Sequence, residues 1–346
     1  MKKITLAEVA KSLGVSKTLV SLVLNGKGNE KGISQETQAR VLTKVKELNY
    51  KANQFARGLR MGKSNTIGLI VADISNSFYA KMCRSIEDNA NKNGYNLIIC
   101  SSDENPEKES TLIQMLIDRQ VDGLIISTTQ KNNADFLHLK KNNFPFVLID
   151  RYIPKIDTNY VIVNNEEGAK SIVNHLIKLG NKRIGHLTIS PSHISTIKER
   201  TTGYKEALKE NNIKVDPNLI REISFDNIKE DVYRELKTLL SPPQSISSLF
   251  VVNNNIAVAC LECFKDMNIR VPQDIALVSF DDIDAFKICY PPITAVSQPI
   301  AKMGEEALNI LLKNINFEGN EFIYEHQLLS TKIEVRRSCG SFISEL

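Results

Sequence analysis

The chain has 346 residues, about twice the length of a typical domain, so two or three folding units are expected. Hydrophobic residues make up 42% and charged residues 24%, values that exclude long disorder. No run of about 18 apolar residues occurs, and MKKITLAEVA lacks the apolar core of a secretion signal. We therefore expect a cytoplasmic protein without a membrane partner. Its six cysteines are expected to be reduced thiols.

The charge is distributed unevenly along the chain. Residues 1–63 carry 13 basic and 4 acidic side chains, a net charge of +9, whereas the remainder carries a net charge of −5. A basic segment of this kind is typical of a surface that binds a polyanion, with counterion release as the driving force. Charge alone also allows a solvated basic face with no partner.

Three helices are predicted in the basic segment. Thr5 and Glu8 form a capping-box pattern, so the first helix follows Thr5 and ends at Gly14. The second helix begins after Ser16 and ends at an Asn-Gly pair, and the third begins after Ser34. Two helices joined by a short turn, with a third as support, is the arrangement of a helix-turn-helix domain.

In that arrangement the second helix enters the major groove of DNA. Its first residues include Ser16, Lys17, Thr18 and Ser21. A lysine can donate to guanine, and a threonine offers a hydroxyl and a methyl group to base edges. Ordinary three-helix packing units contain the same residue types, so the pattern alone leaves both interpretations open.

A longer, ordered series of segments resembles the LacI/GalR family of transcription regulators. It begins with TLAEVAKSLGVSKTLVSLVLNGKG and ISQETQARVLTKVKELNYKANQFARGLRMGKSNTIGLIVADISNSFY. It continues with HLIKLGNKRIGHL, KERTTGYKEAL, LFVVNNNIAVACLECFKDMNIRVPQDIALVSFDD, PPITAVSQPIAKMGEEAL and STKIEVRRS, and so covers nearly the whole chain. The resemblance implies a DNA-binding regulator, and we include Thr5, Asn25 and Asn53 among its predicted DNA-binding residues.

The resemblance also implies a hinge helix over residues 53–60 that is ordered only on DNA. Leu59 matches the leucine that relatives wedge between bases in the minor groove, an unstacking device. The alternative is that Leu59 packs one hinge against another. With the hinge on DNA, the resemblance implies that Arg57 and Arg60 lie near phosphates.

Two residues depart from the family pattern. Leu22 stands where relatives often carry an arginine, so we expect one base contact to be missing or replaced by an apolar contact with a thymine methyl. Ala52 stands where the family has a proline before the hinge, which is expected to loosen the hinge entry.

The mildly acidic remainder alternates β-rich runs with helical stretches, a pattern that predicts parallel sheets covered by helices. The runs are TIGLIVADI, NLIICSSD, VDGLIIS, FPFVLID, YVIVNN, RIGHLTIS, SSLFVVN and IALVSFDD. The resemblance implies two lobes like those of type I periplasmic binding proteins, over about residues 64–162 and 163–293, with crossing segments near residues 295–325.

Ligands of open α/β sheets bind at the carboxyl ends of strands. That rule selects residues 73–79, Asp150-Arg151, Asn164, Asn253-Asn254 and Asp281-Asp282. Their carboxylates, amides and aromatic rings suit a sugar. Family matches agree at some of these positions and add one arginine, and the predicted effector-binding residues are Asp73, Asn76, Phe78, Tyr79, Arg151, Asn164, Arg200, Asn253 and Asp281.

Each of these residues has a structural alternative. Phe78 and Tyr79 can belong to the core, Asn253 can cap a helix and Asp282 can hold a loop. Asn164 and Asn254 stand where the family commonly has aspartates. The pocket therefore loses up to two negative charges, so its effector need not resemble any that relatives bind.

No motif of the chain indicates catalysis. Cys260 and Cys263 have the spacing of a zinc or redox pair, but they fall within a predicted helix and lack a second pair. Gly-rich segments miss the phosphate-loop spacing, and no Ser nucleophile elbow occurs. We therefore expect neither a metal, a cofactor nor an enzymatic activity.

The domain prediction is a helix-turn-helix domain over residues 1–50, a hinge helix and linker over 51–63, and a two-lobed α/β domain over 64–346. The predicted function is a ligand-responsive repressor that binds a palindromic double-stranded DNA operator as a homodimer. A carbohydrate between the lobes is the expected effector, and a corepressor such as a purine is the alternative. A transport-type binding protein would need a secretion signal and no DNA-binding domain.

Overall fold

The structure is a computed structural model that describes residues 4–50, 63–131, 133–317, 319 and 324–341. Internal contacts divide the chain into an N-terminal unit of residues 1–64 and a body of residues 65–346. Within the described residues, none of the helices has the length and apolar character needed to span a bilayer.

The N-terminal unit consists of three short helices: α1 (Leu6–Leu13), α2 (Lys17–Leu24) and α3 (Gln35–Glu47). The predicted capping box is confirmed, because the Glu8 N–H donates to Thr5 Oγ1 and the Thr5 N–H donates to the Glu8 carboxylate. Gly14 ends α1 with a φ of 66°, a conformation that favours glycine. The side chains of Ser16 and Ser34 cap α2 and α3.

A small apolar core holds these three helices together. Val9, Val20, Val23 and Val41 are buried, one or two from each helix. Each such side chain contributes about 1.5–3 kcal/mol on burial. Val20 and Val23 are three residues apart, a spacing that directs one face of α2 inward and leaves the other to solvent.

The body contains two lobes, each built on a six-stranded sheet with helices on both faces. Lobe 1 contains β1 (Thr66–Val71), β2 (Asn96–Ser101), β3 (Gly123–Ile126), β4 (Phe146–Ile149), β5 (Tyr160–Val163) and β11 (His326–Leu329). Its strands are all parallel, in the order β11-β5-β4-β3-β1-β2. Its helices are α4 (Ser77–Lys92), α5 (Pro106–Asp118), α6 (Ala134–Lys141) and α12 (Ile300–Ile315).

Lobe 2 repeats this topology. Its strands are β6 (Ile184–Ile189), β7 (Ile220–Ile223), β8 (Ser248–Val251), β9 (Ala276–Phe280), β10 (Thr294–Ser297) and β12 (Lys332–Glu334). The order is β12-β10-β9-β8-β6-β7, with β12 antiparallel to β10. Its helices are α7 (Asn165–Lys178), α8 (Ser195–Glu210), α9 (Ile228–Leu240), α10 (Asn254–Asp266) and α11 (Asp284–Ile288). The predicted two-lobed parallel α/β body is therefore confirmed.

The chain crosses between the lobes at three described places. It leaves lobe 1 after Val163, returns to it around Gln298, and crosses again near Ser330 before β12. The last crossing was absent from the sequence prediction, which also missed the short strands β7, β10, β11 and β12. Cys260 and Cys263, which we do not expect to form a metal or redox pair, both lie buried in α10.

Candidate functional site

The two lobes present equivalent strand ends to each other. Asp150 follows β4 and Asp281 follows β9, and these strands hold the same place in the two sheets. Both aspartates have a positive φ, 67° and 68°, and both are buried. Non-glycine residues rarely adopt this conformation, and such residues concentrate at functional sites.

On the lobe 1 side, Arg151 is held by a carboxylate. Its Nη1 and Nη2 donate to Glu104 Oε2 and Oε1 at 2.7 and 2.6 Å, a two-pronged ion pair. Both side chains are nearly buried. Such a pair combines charge with matching planar geometry, so it fixes the guanidinium firmly.

Asp150 lies beside this ion pair and accepts a hydrogen bond from the Tyr79 hydroxyl at 2.9 Å. Burial raises the pKa of Tyr79 well above its ordinary value, so the phenol keeps its proton and acts as the donor. Burial also raises the pKa of Asp150, against the lowering effect of Arg151 and Arg200. The carboxyl of Asp150 therefore gains a proton more readily than an exposed aspartate does.

On the lobe 2 side, Arg200 of α8 is held mainly by neutral acceptors. Its Nε donates to Asn165 Oδ1 at 2.9 Å, and its Nη1 donates to the Val252 carbonyl at 3.0 Å. The Asp281 carboxylate is more distant, at 3.5 Å. The guanidinium also stacks on the Phe280 ring, 3.8 Å from its centroid.

Close packing of α8 against α7 positions Arg200 on Asn165. A Cβ added at Gly203 would lie 2.2 Å from the Glu166 carbonyl oxygen, so only glycine permits this approach. Asp281 has a further partner in Gln298, whose Nε2 donates to it at 2.5 Å. Burial raises the pKa of Asp281, while Arg200 and Gln298 oppose the rise.

A cavity separates these two sets of residues, and we call it the cleft. It is lined by Asp73, Asn76, Phe78, Tyr79, Glu104, Asp150, Arg151, Ile189, Ser190, Ile194, Thr196, Ile197, Arg200, Phe225, Asn253, Asn255 and Asp281. Its volume is about 40 Å³, room for about three water molecules. The cleft is therefore closed, and both of its arginines already have partners within the protein.

Direct contacts hold the lobes in this closed arrangement. The Tyr152 hydroxyl donates to Glu199 at 3.0 Å, and the Asn254 amide donates to Asn76 Oδ1 at 3.0 Å. An ion pair of 2.8 Å joins Lys81 to the more exposed Asp284. Because each contact joins residues of different lobes, a ligand that separates the lobes must break them.

Eight of the nine predicted effector-binding residues line the cleft: Asp73, Asn76, Phe78, Tyr79, Arg151, Arg200, Asn253 and Asp281. Several also have the structural role considered as an alternative, since Phe78 and Tyr79 are buried and Asn253 Oδ1 caps α10. Asp282 does not line the cleft and instead pairs with Arg336 at 2.7 Å.

Asn164 is the predicted residue that the structure places outside the cleft lining. Its Oδ1 accepts a hydrogen bond from the Glu167 N–H at 3.0 Å and so caps α7. The neighbouring Asn165 holds Arg200 instead, and its amide also donates to Glu199 at 3.1 Å. The prediction of effector contact at Asn164 therefore has no support from the geometry.

Of the lining residues that the sequence did not predict, Glu104 and Phe225 matter most for the chemistry of the cleft. Glu104 follows β2, so the strand-end rule could have selected it. Phe225 belongs to a short 3₁₀ helix over Phe225–Asn227. No pattern in the sequence marks this segment as part of a site.

The second candidate site is the exposed surface of α2 in the N-terminal unit, which we call the recognition face. Ser16, Lys17, Thr18 and Asn25 are exposed, and Ser21 and Leu22 are partly exposed. The Asn25 amide donates to the Ser21 carbonyl at 2.7 Å. Thr5 is exposed at the start of α1, where its hydroxyl is engaged in the capping box.

Ser16, Lys17, Thr18 and Ser21 lie on the first turns of α2, so a base edge or phosphate could meet several of them together. Three other predicted DNA-binding residues, Asn53, Arg57 and Leu59, lie outside the described residues. Their assignments stay predictions.

Comparisons with known proteins match both parts of the chain. Residues 5–53 match the bacterial regulatory proteins of the lacI family, and residues 173–339 match the periplasmic binding protein-like domain. The probable HTH-type transcriptional regulator EndR of Paenibacillus polymyxa is 33% identical over 314 residues, covering 90% of this chain and 91% of that protein.

Solved structures show the same architecture. The transcriptional regulator CelR in complex with cellobiose is 25% identical, with a TM-score of 0.71, and the match covers 97% of this chain and 100% of that one. The lac repressor dimer bound to operator and the anti-inducer ONPF shares the fold, with a TM-score of 0.85 at 24% identity, over 98% of this chain and 99% of that one.

The relatives and the family match agree on a regulator of transcription rather than an enzyme. They also agree with the helical N-terminal unit and the two parallel-sheet lobes. This protein is a member of the LacI family of bacterial transcription regulators.

Proposed function

We propose that this regulator is a repressor that binds a palindromic operator as a homodimer, and that a sugar in the cleft changes its affinity for the operator. The observation that carries the proposal is the cleft itself. Its charged and amide side chains come from both lobes and converge on one cavity with aromatic rings beside them.

The chemistry of the cleft supports a polyhydroxy effector. Hydroxyl groups both donate and accept hydrogen bonds, so carboxylates such as Asp73 and guanidinium groups such as that of Arg200 can each bind one. The rings of Phe78 and Phe225 offer apolar surface for the carbon face of a sugar. The cellobiose complex of CelR supports the same class of effector.

The contacts between the lobes support coupling between effector and operator. An effector larger than a few water molecules must open the cleft, and opening breaks contacts such as that between Asn76 and Asn254. We propose that the resulting lobe movement orders or releases the hinge segment, residues 51–63. By reciprocity, the operator changes effector affinity by the same factor.

The recognition face supports sequence-specific DNA binding. Lys17 and Thr18 are exposed at the start of α2, where a helix in the major groove meets base edges. One short helix reads too few base pairs for useful specificity, so two copies on two half-sites are expected.

An exposed apolar surface on lobe 2 supports a homodimer. Ile288 and Tyr290 are 87% and 94% exposed, an unusual degree for adjacent large apolar side chains. Ile288 is the last residue of α11 and Tyr290 follows it, and α11 begins three residues after Asp281, which lines the cleft. A second copy packed against Ile288 and Tyr290 would connect the dimer interface to the loop that carries Asp281.

Selection of operator duplexes from a random pool, followed by binding measurements with the full chain, tests this proposal. We expect an enriched palindrome, an affinity that falls steeply with salt, and a change of at least tenfold in affinity with an uncharged sugar. An enriched sequence without two-fold symmetry would contradict the dimer. Affinity that is independent of salt would contradict the role of the +9 segment.

A further inference from the structure

The charges that line the cleft are unequal in number. Four carboxyl groups, of Asp73, Glu104, Asp150 and Asp281, face two guanidinium groups, of Arg151 and Arg200. Burial favours protonation of Asp150 and Asp281. With both protonated, the lining has no net charge, and with both ionised its charge is −2. In neither state is the cleft net positive.

The position of the Glu104 carboxylate follows from the backbone conformation of this residue. Its φ is 54°, in the region that L residues rarely adopt, and its N–H donates to the Ala72 carbonyl at 3.1 Å. This backbone conformation aims the carboxylate at Arg151, 47 residues further along the chain. Strain of this kind is retained where the surrounding structure uses it.

The ion pair with Glu104 occupies the two Arg151 donors that would otherwise bind an anion. A phosphate or carboxylate binds arginine through two parallel N–H donors. Here Nη1 and Nη2 already donate to the two Glu104 oxygens. Nε is buried and lies 3.6 Å from Asp150 Oδ2, too far for a hydrogen bond, so it has no hydrogen-bond partner among the described residues. One donor suits a single hydroxyl oxygen and does not suit a phosphate.

An anion that displaced Glu104 would leave a nearly buried carboxylate without its partner, which is unfavourable. Arg200 is the other cationic group, and Asn165, the Val252 carbonyl and Phe280 already surround it. An anionic effector would thus meet a lining without net positive charge and without a free two-pronged donor.

We infer that the cleft selects uncharged polyhydroxy effectors and that Glu104, by holding Arg151, is the residue that excludes phosphorylated and carboxylated compounds. This inference rests on the proposed function of the cleft as the effector site. It goes beyond that proposal by assigning the charge class of the effector and the residue that sets it.

Titration of the full chain with inorganic phosphate tests the role of Glu104 without DNA or a known effector. We expect isothermal titration calorimetry to detect no saturable binding to the wild-type chain at millimolar phosphate. In the Glu104→Gln variant both Nη atoms of Arg151 lose their charged acceptor, while Asp150 stays 3.6 Å from Nε. This variant should bind phosphate with saturation, at least about tenfold more tightly than the wild type. Adding Arg151→Gln should abolish the gained binding.

Asp103→Asn is the matched control, because Asp103 lies next to Glu104, carries the same charge and pairs with the exposed Lys108 rather than with Arg151. It should gain no phosphate binding. Saturable phosphate binding to the wild-type chain that requires Arg151 would overturn the inference. A folded Glu104→Gln variant without a gain would overturn it as well.

Matched compounds test the same inference on the wild-type chain, even if Glu104→Gln fails to fold. The panel pairs glucose with glucose 6-phosphate and glucuronate, and ribose with ribose 5-phosphate, with cellobiose added. Thermal shifts are expected from uncharged members only. A larger shift from a phosphate or uronate than from its uncharged partner would overturn the inference. If none of these compounds changed the affinity of the chain for its operator, the proposed function would be contradicted instead.

Discussion

Polar side chains serve different purposes in the N-terminal unit and in the body. The polar residues of the recognition face are exposed, and the contacts that shape their helix are local, as at the Ser16 cap. In the cleft, Arg151 and Arg200 are buried and held by residues 35 to 81 positions away in the chain.

This difference determines what a substitution does. An exposed side chain of the recognition face can be removed without leaving a buried group unpaired, so binding should change while stability does not. A buried charge in the cleft has partners that depend on it, so its removal should change both.

Arg200→Ala should have the largest effect. It should abolish the effect of an uncharged sugar on operator affinity and lower the free energy of unfolding by about 3 kcal/mol, because Asp281 and Asn165 lose a buried partner. Operator binding titrations and urea unfolding measure the two quantities.

Lys198→Ala is the control for this variant, since Lys198 is exposed on the same helix. It should leave both quantities unchanged. A full sugar response in Arg200→Ala would move the effector site away from the cleft.

Lys17→Ala should weaken operator binding by about ten- to a hundredfold. The loss should be specific to the operator if Lys17 contacts a base, and uniform across sequences if it contacts a phosphate. Fluorescence anisotropy on the operator and on a scrambled duplex distinguishes the two.

The thermal midpoint of Lys17→Ala should match that of the wild type, because Lys17 is exposed. Lys11→Ala, which removes an exposed lysine from α1, should cost less operator affinity. Equal losses of operator affinity in the two variants would show that the recognition face acts only as a general basic surface.

Tyr290→Glu should raise the dissociation constant of the dimer at least about tenfold, because it places a charge where an apolar contact is proposed. Sedimentation velocity over a concentration series measures this. Tyr233→Glu is the matched control, a second exposed tyrosine of lobe 2. A dimer unaffected by Tyr290→Glu would place the interface elsewhere.

The smallest effect is expected from Asp150→Asn. Because burial raises the pKa of Asp150, the folded state binds more protons than the unfolded state between the unfolded pKa, about 4, and the higher folded pKa. This carboxyl therefore makes the free energy of unfolding fall as pH rises through that window.

In Asp150→Asn that contribution disappears, so the free energy of unfolding should fall less with rising pH than in the wild type. Chemical denaturation at several pH values above 4 measures the difference. Asp226→Asn, at an exposed aspartate, should follow the wild-type curve. Identical curves for wild type and Asp150→Asn would contradict the effect of burial on this group.

The N-terminal unit was largely predictable because its determinants are local. Thr5, Gly14, Ser16 and Ser34 each act within four residues, and all four were assigned correctly as helix boundaries. The strands of the body that form a continuous apolar run were predictable for a similar reason. The short strands β7, β10, β11 and β12 lack a continuous apolar run, and pairing with distant strands stabilises them.

The cleft was predictable in its position and less so in its details. Strand ends located Asp73, Asp150 and Asp281, because topology alone brings such ends together. The prediction selected Asn164, whereas its neighbour Asn165 is the residue that accepts a hydrogen bond from Arg200. Neighbouring residues of a helix point about 100° apart, so a one-residue difference depends on how α7 is rotated about its axis. The pairing of Glu104 with Arg151 depends on a loop conformation that no short motif encodes.

Effector control through the cleft is measured by the operator affinity of the full chain with and without each uncharged sugar of the panel, repeated with Arg200→Ala. We expect at least one sugar to change the wild-type dissociation constant tenfold or more and to have no effect on the variant. No response to any of these sugars, or an equal response in Arg200→Ala, would contradict effector control through the cleft.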